Sequence, residues 1–350
     1  MKQTLVQLLC SPADRSLLNL EMKEEFRGEI LEGYLRDCSG NRFRISEGIP
    51  RFAEDHASDE TFEFKWCLIG DTYGYEERTR RVRQDWYIER FGFETRNKHL
   101  DFIRPKGPVL DAGTGTGVDA AMFAESGATV IAVDLSGEAA SATYRHLGHL
   151  SNVHVIQADL ANLPFPSRVF GYISCDQVLH HTPDPARSFS ALARHLRPGG
   201  HMAVYVYRRK GPIREFTDDY LRAHTTKMTA QECYELCQSI TLLGKALSEL
   251  KTEMEVPADI PLLGIQAGPQ DVQRFFYWNV MKCFWNDQYD FTTNVVINFD
   301  WYHPKYASRH TPEEVQGWFD RHGLEVERFN VVPSGIAAMG RMRNPMRNNE

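Results

Sequence analysis

The chain has 350 residues, 42% hydrophobic and 25% charged, enough to bury a full core and to hold more than one structural unit. Forty basic against 47 acidic side chains leave a net charge of -7, and no long basic run interleaves with aromatics, which argues against nucleic acid and for a small-molecule or protein substrate. Seven scattered cysteines fit reduced thiols in a cytoplasm, and no stretch approaches the ~18 uninterrupted apolar residues of a membrane span.

The opening MKQTLVQLLCS places small and apolar residues before Cys10, but the run is broken by Gln3 and Gln7 and is too short for a signal-peptide core. LLCSPADRSLLNL and EILEGYLRDCSGNRFRISEGIPRF, within residues 1–54, resemble a small Trm112-like zinc-ribbon module. In that family a CxxC-type knuckle in each half binds zinc. Here Cys10 is followed by Ala13 and Cys38 by Asn41 at the partner positions. Two thiolates fall short of the four ligands of a structural zinc unless Asp14 or a histidine substitutes. The expectation is a β-rich ribbon without metal, held by Leu17, Leu18, Leu20, Ile30, Leu35, Phe43, Ile45, Ile49 and Phe52.

Residues 55–107 are dense in aromatic and charged side chains, among them Trp66, Tyr73 and Tyr75. The next stretch, PVLDAGTGTGVDAAMFAESGATVIAVDLS (108–136), reads as a buried strand ending at Asp111, a glycine turn, a helix over 118–126 stopped by Gly127, and a second buried strand ending at Asp134. That is a βαβ unit, whose ligand crevice lies at the carboxyl ends of its strands. Glycines at 113, 115 and 117 let the backbone approach a ligand, and Asp134 is placed to accept both ribose hydroxyls of a nucleoside. A dinucleotide oxidoreductase would carry glycine at 118, where Val118 stands, and Asp111 would repel a pyrophosphate while suiting an amine.

The stretch resembles motif I of the class I S-adenosylmethionine (SAM)-dependent methyltransferases. NVHVIQADLANLPFP (152–166) resembles the third strand of that family, VFGYISCDQVLHHTPDP (169–185) the fourth and its loop, and LRPGGHMAVYVY (196–207) the turn and fifth strand. One departure is Gly171, where the family usually has an acidic residue. The resemblance implies SAM as cofactor, with no metal. It implies contacts from Asp111, Ala112, Gly113, Thr114, Gly115 and Gly117, from Asp134, Leu135 and Ser136, from Ala158, Asp159 and Leu160, and from Asp176 and Gln177. It also implies that 55–107 is helical and covers the cofactor, so that Trp66, Tyr73 and Tyr75 face the sulfonium or simply pack.

Residues 208–309 are an insertion. TAQECYELCQSITLLGKALSELKTEM is helical by periodicity, with Cys233 and Cys237 on one face as packing. The segment from Gln273 to Tyr306 concentrates aromatics and reads as a lid forming the acceptor site, with Trp285, Asp300 and Trp301 as contacts; a homodimer surface is the competing reading. HTPEEVQGWFDRHGLEVERFNVV reads as a helix opened by a Thr311–Glu314 capping box and a strand, and GIAAMGRM closes the sheet antiparallel.

The fold expected is α/β: a Rossmann-like, seven-stranded, mostly parallel sheet with helices on both faces, a β-rich N-terminal module and a helical, aromatic insertion. Its divisions are 1–54, a connector 55–107, the core 108–207, the insertion 208–309 and the core's end 310–350. The expected reaction is methyl transfer to an O, N or C atom of a small-molecule acceptor in the cytoplasm, without nucleic acid or membrane. His181 is the favoured base, with His180 and His303 as alternatives, and Asp300 orients His303 or binds a substrate amine. A silent SAM-binding scaffold and an NAD(P)-dependent oxidoreductase are the competing functions.

Overall fold

The computed structural model describes residues 1–54 and 58–344. Residues 55–57 of the connector and 345–350 of the terminal segment lie outside the described residues.

Four short strands, β1 (Asn19–Phe26), β2 (Glu29–Arg36), β3 (Arg42–Ser46) and β4 (Ile49–Pro50), form an antiparallel sheet in sequential order. Leu18, Ile30, Leu35, Ile45 and Ile49 are buried as expected, but Leu17 is 82% exposed and corrects the list of residues that hold this module. Its neighbour Leu18 takes the inward position instead. Cys10 is buried and Cys38 exposed, and the Asp14 carboxylate accepts from Ser16, Ser39 and the Cys38 thiol. Those bonds tie two loops together.

Three helices follow: α1 (Glu60–Ile69), α2 (Glu77–Arg90) and α3 (Arg96–Ile103). The main sheet is built from β5 (Val109–Ala112), β6 (Val130–Asp134), β7 (Val153–Gln157), β8 (Phe170–Asp176), β9 (Leu196–Tyr207), β12 (Leu324–Val331) and β13 (Gly335–Met342). Their spatial order is β12-β13-β9-β8-β5-β6-β7. Strands β5 to β9 pair in parallel, and β13 inserts antiparallel between β9 and β12. The expected seven-stranded, mostly parallel sheet is therefore present. Strand β5 is wholly buried and β6 nearly so, which explains their continuous apolar runs.

The order reverses at β5, between β6 on one side and β8 on the other, and this opens a crevice at the carboxyl edge. Helices α4 (Val118–Ala124), α5 (Gly137–Leu147) and α6 (Pro185–His195) supply the crossovers. Ser136 caps α5 and Asp184 caps α6 through their side chains, so both helices start at the crevice rim. The outer edge of β7 is covered, since Arg51 bridges Gln157 in parallel and the Phe52 amide donates to the Gln157 carbonyl at 2.8 Å. The N-terminal module thereby shares one apolar core with the sheet.

Gly171 has a local cause. A Cβ there would lie 2.0 Å from the Lys106 carbonyl oxygen and 2.5 Å from the Arg197 guanidinium. Gly171→Asp is therefore expected to cost about 1–3 kcal/mol through forced backbone movement. Urea unfolding midpoints measure this, and an unchanged midpoint would remove the steric explanation.

The insertion holds α7 (Pro212–Thr225), α8 (Ala230–Glu249), a hairpin of β10 (Glu253–Val256) and β11 (Gly268–Asp271), α9 (Val272–Asn279) and α10 (Phe291–Tyr302). Cys233 and Cys237 are fully buried in its core beside Phe299 and Tyr302. The hairpin was not anticipated from the sequence, because its strands carry Gly268 and Pro269 and mostly lack apolar alternation. Helix α11 (Pro312–Arg321) opens with the Thr311–Glu314 capping box. No helix among the described residues is long and apolar enough to cross a membrane.

Candidate active site

A cavity of about 990 Å³ occupies the crevice. This is the upper end of the ~300–1,000 Å³ usual for one ligand, so there is room for two small molecules. One end is formed by the turn after β5 and the ends of β6 and β8. Gly113, Gly115 and Gly117 all have left-handed φ, at 82°, 58° and 85°. The reason for glycine differs from simple ligand access. A Cβ on Gly113 would strike Val178 at 2.3 Å, one on Gly117 would reach Thr143 and Leu147 at 2.9 Å, and one on Gly115 would touch the Trp66 ring at 3.0 Å. These glycines let neighbouring side chains close around the turn, and Gly117 acts wholly through packing on α5.

Asp134 ends β6 and lines the cavity. Its carboxylate accepts the Gly115 and Ser136 amides, each at 2.9 Å, so one group fixes the glycine turn and the start of α5. Asp159, Leu160, Asp176 and Gln177 also line the cavity, as do Thr114 and Leu135. Gln177 adopts a left-handed φ of 61° without being glycine, a cost that points to a positional requirement at the strand end.

Asp111 lies behind the turn, not on the cavity wall, and accepts the Thr114 hydroxyl at 2.6 Å. Ala112, Gly117, Ser136 and Ala158 likewise do not line the cavity. Burial, Asp119, Asp176 and Asp134 together raise the Asp111 pKa far above the carboxylate range. Asp134 is raised too, chiefly by burial. A concentration of buried carboxylates repels a pyrophosphate and is relieved by a cation. It suits a cationic ligand such as SAM, whose amine and sulfonium are positive.

Helix α1 forms the roof. Trp66 and Tyr73 line the cavity, whereas Tyr75 does not: its hydroxyl donates to the Thr116 carbonyl and its ring stacks on His146 at 3.5 Å. Tyr75 therefore braces the glycine turn from outside. Arg90 and Asp176 form a fully buried ion pair beneath Trp86, and Arg83 donates to the Tyr73 hydroxyl at 2.8 Å.

The three histidines separate clearly. His181 lines the cavity, and its Nδ1–H donates to the Tyr306 carbonyl at 2.8 Å, which leaves the Nε2 lone pair free. Burial pushes its pKa down to about 4, so the ring is neutral at pH 7. His180 lies off the cavity, fully buried and stacked on Tyr207 at 3.6 Å, with neither ring nitrogen bonded. His303 is also off the cavity: its nitrogens contact Thr61 Oγ1 at 2.7 Å and the Met228 carbonyl at 3.1 Å. It joins the insertion to α1. Asp300 does line the cavity, but it pairs with Lys65 and does not orient His303.

Trp301 lines the cavity and is 3% exposed. Trp285 does not line it; the indole N–H donates to Asp287 at 2.6 Å, and the neighbouring Phe284 takes the inward position. The sequence reading missed Lys65, Arg83, Tyr207, Lys210, Arg214 and Lys282, all on the wall. Lys210 closely follows β9 at the carboxyl edge, and Lys282 is a lone cation within the run NVMKCFW, which was a readable signal.

Residues 110–204 match the family model described as "Methyltransferase domain". The chain is 36% identical over 121 residues to a ubiquinone biosynthesis O-methyltransferase of Xylella fastidiosa, covering 31% of this chain and 48% of that one. It is 30% identical over 126 residues to a ubiquinone/menaquinone biosynthesis C-methyltransferase of Vibrio cholerae, covering 33% and 48%. A SAM-dependent methyltransferase of Aquifex aeolicus superposes over 75% of this chain and 96% of its own, at 15% identity and a TM-score of 0.37. The chain spans about half the length, or less, of these curated relatives.

Proposed function

We propose, from the premise that this chain carries a methyltransferase domain of the class I SAM-dependent family, that it transfers a methyl group to an O, N or C atom of a small-molecule acceptor. The observation that carries this reading is the continuity of the cavity, from the glycine turn and Asp134 at one end to His181, Tyr207 and Trp301 at the other. The named relatives include both an O- and a C-methyltransferase, so the acceptor atom is left open.

SAM, when bound, supplies an electrophilic methyl on a positive sulfur. The chain's own residues do the rest. Asp134 and the backbone around Gly113 to Thr116 hold the nucleoside end, and Trp66 covers it. Tyr207, Trp301 and Phe284 enclose the acceptor and exclude water, so alignment supplies most of the acceleration. His181 Nε2 takes the acceptor proton, while Tyr306 holds the tautomer.

Single-turnover transfer from labelled SAM into cell extract tests the reaction, and absence of any labelled product with intact SAM binding would leave the silent scaffold. Once an acceptor is in hand, His181→Gln should lower kcat about 10²- to 10⁴-fold with SAM affinity unchanged. The acidic limb of kcat/KM should fall toward pH 4, because the base works only unprotonated and burial sets its pKa at about 4. An inflection near 6.5 that survives the substitution would assign the proton to another group.

A further inference from the structure

Around the glycine turn the wall of the cavity carries Asp119, Asp134, Asp159 and Asp176, with Arg83 beside Asp119. Residues 208–309 contribute four cations to the wall, Lys210, Arg214, Arg274 and Lys282, against one acid, Asp300, which is already paired with Lys65. Arg214 is paired with Asp218 at 2.5 Å, yet its Nη2 is buried without an acceptor. The Lys282 ammonium makes no ion pair and no side-chain hydrogen bond among the described residues, although the residue is only 5% exposed. It lies 4.9 Å from the Trp301 ring centre and 5.9 Å from that of Tyr207.

The position of Lys282 is built rather than incidental. Its amide donates to Asp218 at 3.3 Å and its carbonyl accepts the Tyr302 hydroxyl at 2.7 Å. The next carbonyl, of Cys283, accepts from Gln273 at 3.0 Å, and the Phe284 amide donates to Asn298 at 2.7 Å. Helices α7, α9 and α10 thus fix three consecutive residues so that an ammonium enters an aromatic pocket. A Cβ on Gly244 would meet the Cys283 carbonyl at 2.4 Å, so α8 presses on the same segment.

Burying an ammonium without a partner is costly, and three cations repel one another here. Burial and Arg214 lower the Lys282 pKa to about 7, and burial, Arg214 and Lys282 lower that of Lys210. Lys210 spends hydrogen bonds on the Pro333 and Ser334 carbonyls and has no acid within ion-pair distance among the described residues. An anion supplied by the ligand removes both the desolvation cost and the repulsion.

We propose that the acceptor carries an anionic group, a carboxylate or a phosphate, held by Lys282 with Lys210 in the lobe lined by Tyr207, Tyr277, Trp278 and Trp301. This deepens the methyl-transfer reading and rests on it for the identity of the ligand as acceptor.

The test uses full-length protein saturated with S-adenosylhomocysteine and calorimetric titration with benzoate, phenyl phosphate and benzyl alcohol, which share the ring and differ in charge. At least one anionic probe should bind about 10-fold or more tighter than benzyl alcohol, and the preferred anion separates carboxylate from phosphate. Lys282→Met should remove that preference while S-adenosylhomocysteine affinity stays within two-fold, about 0.4 kcal/mol. Equal binding of benzoate, phenyl phosphate and benzyl alcohol, no binding by any of them, or an anion preference untouched by Lys282→Met would overturn the proposal. The probe comparison in wild-type protein stands whether or not the variant folds. Failure of S-adenosylhomocysteine to bind would instead strike the methyltransferase reading, and the probes would then be titrated into cofactor-free protein.

Discussion

Asp134→Ala should weaken binding of SAM and S-adenosylhomocysteine about 10- to 100-fold. The carboxylate stands at the end of β6 and holds two amides, Gly115 and Ser136, at 2.9 Å. Those bonds fix its direction before any ligand arrives, so a ribose meets a pre-oriented acceptor. Losing charge-assisted hydrogen bonds costs roughly 1.5–3 kcal/mol, which is the stated range. Part of the loss comes through the protein itself, because the Gly115 amide is freed and the turn loosens. Calorimetry on a folded variant reads the effect, and unchanged affinity would refute the placement of Asp134 at the nucleoside.

The end of the cavity around the glycine turn was legible because its residues sit on local sequence. One βαβ unit supplies the turn, the helix start and Asp134, and strand periodicity fixes where each falls. Strand β13 was read to its observed limits, 335–342, whereas β9 starts already at Leu196, within the segment read as a turn before the strand. What each glycine does was not legible. Gly117 serves Thr143 and Leu147, a contact set by how α5 returns on the sheet. The opposite end of the cavity was harder still. It is assembled from residues as far apart as Lys65, His181, Lys210, Lys282 and Trp301, and only tertiary packing decides which aromatic turns inward. Tyr75, Trp285 and His303 had suitable chemistry in suitable segments, but each faces another partner. Outside regular strands no periodicity says which of two nearby aromatics turns inward, as with Phe284 and Trp285.

Two tryptophans of the insertion give the largest contrast expected there. Trp301 is buried against Tyr207 with ring centres 4.7 Å apart and forms part of the cavity wall. Truncating it removes a large buried ring, so Trp301→Ala should cost about 3–5 kcal/mol of stability. It should also raise the acceptor KM or lower kcat while SAM affinity stays within a few-fold, since the cofactor is gripped from the other end. Trp301→Phe keeps a ring in place and carries the kinetic test if the alanine variant does not fold. Trp285 makes the opposite case: half-buried, bonded to Asp287 and approached by Lys245 at 5.6 Å, it contributes nothing to the wall. Trp285→Ala should therefore stay within roughly 0.5 kcal/mol of wild type and leave the kinetics alone. Steady-state kinetics with urea unfolding on both variants decides the matter. If both turn over normally and a dimer becomes a monomer by sizing, the aromatic cluster serves association, and the acceptor must enter beneath Trp66 instead.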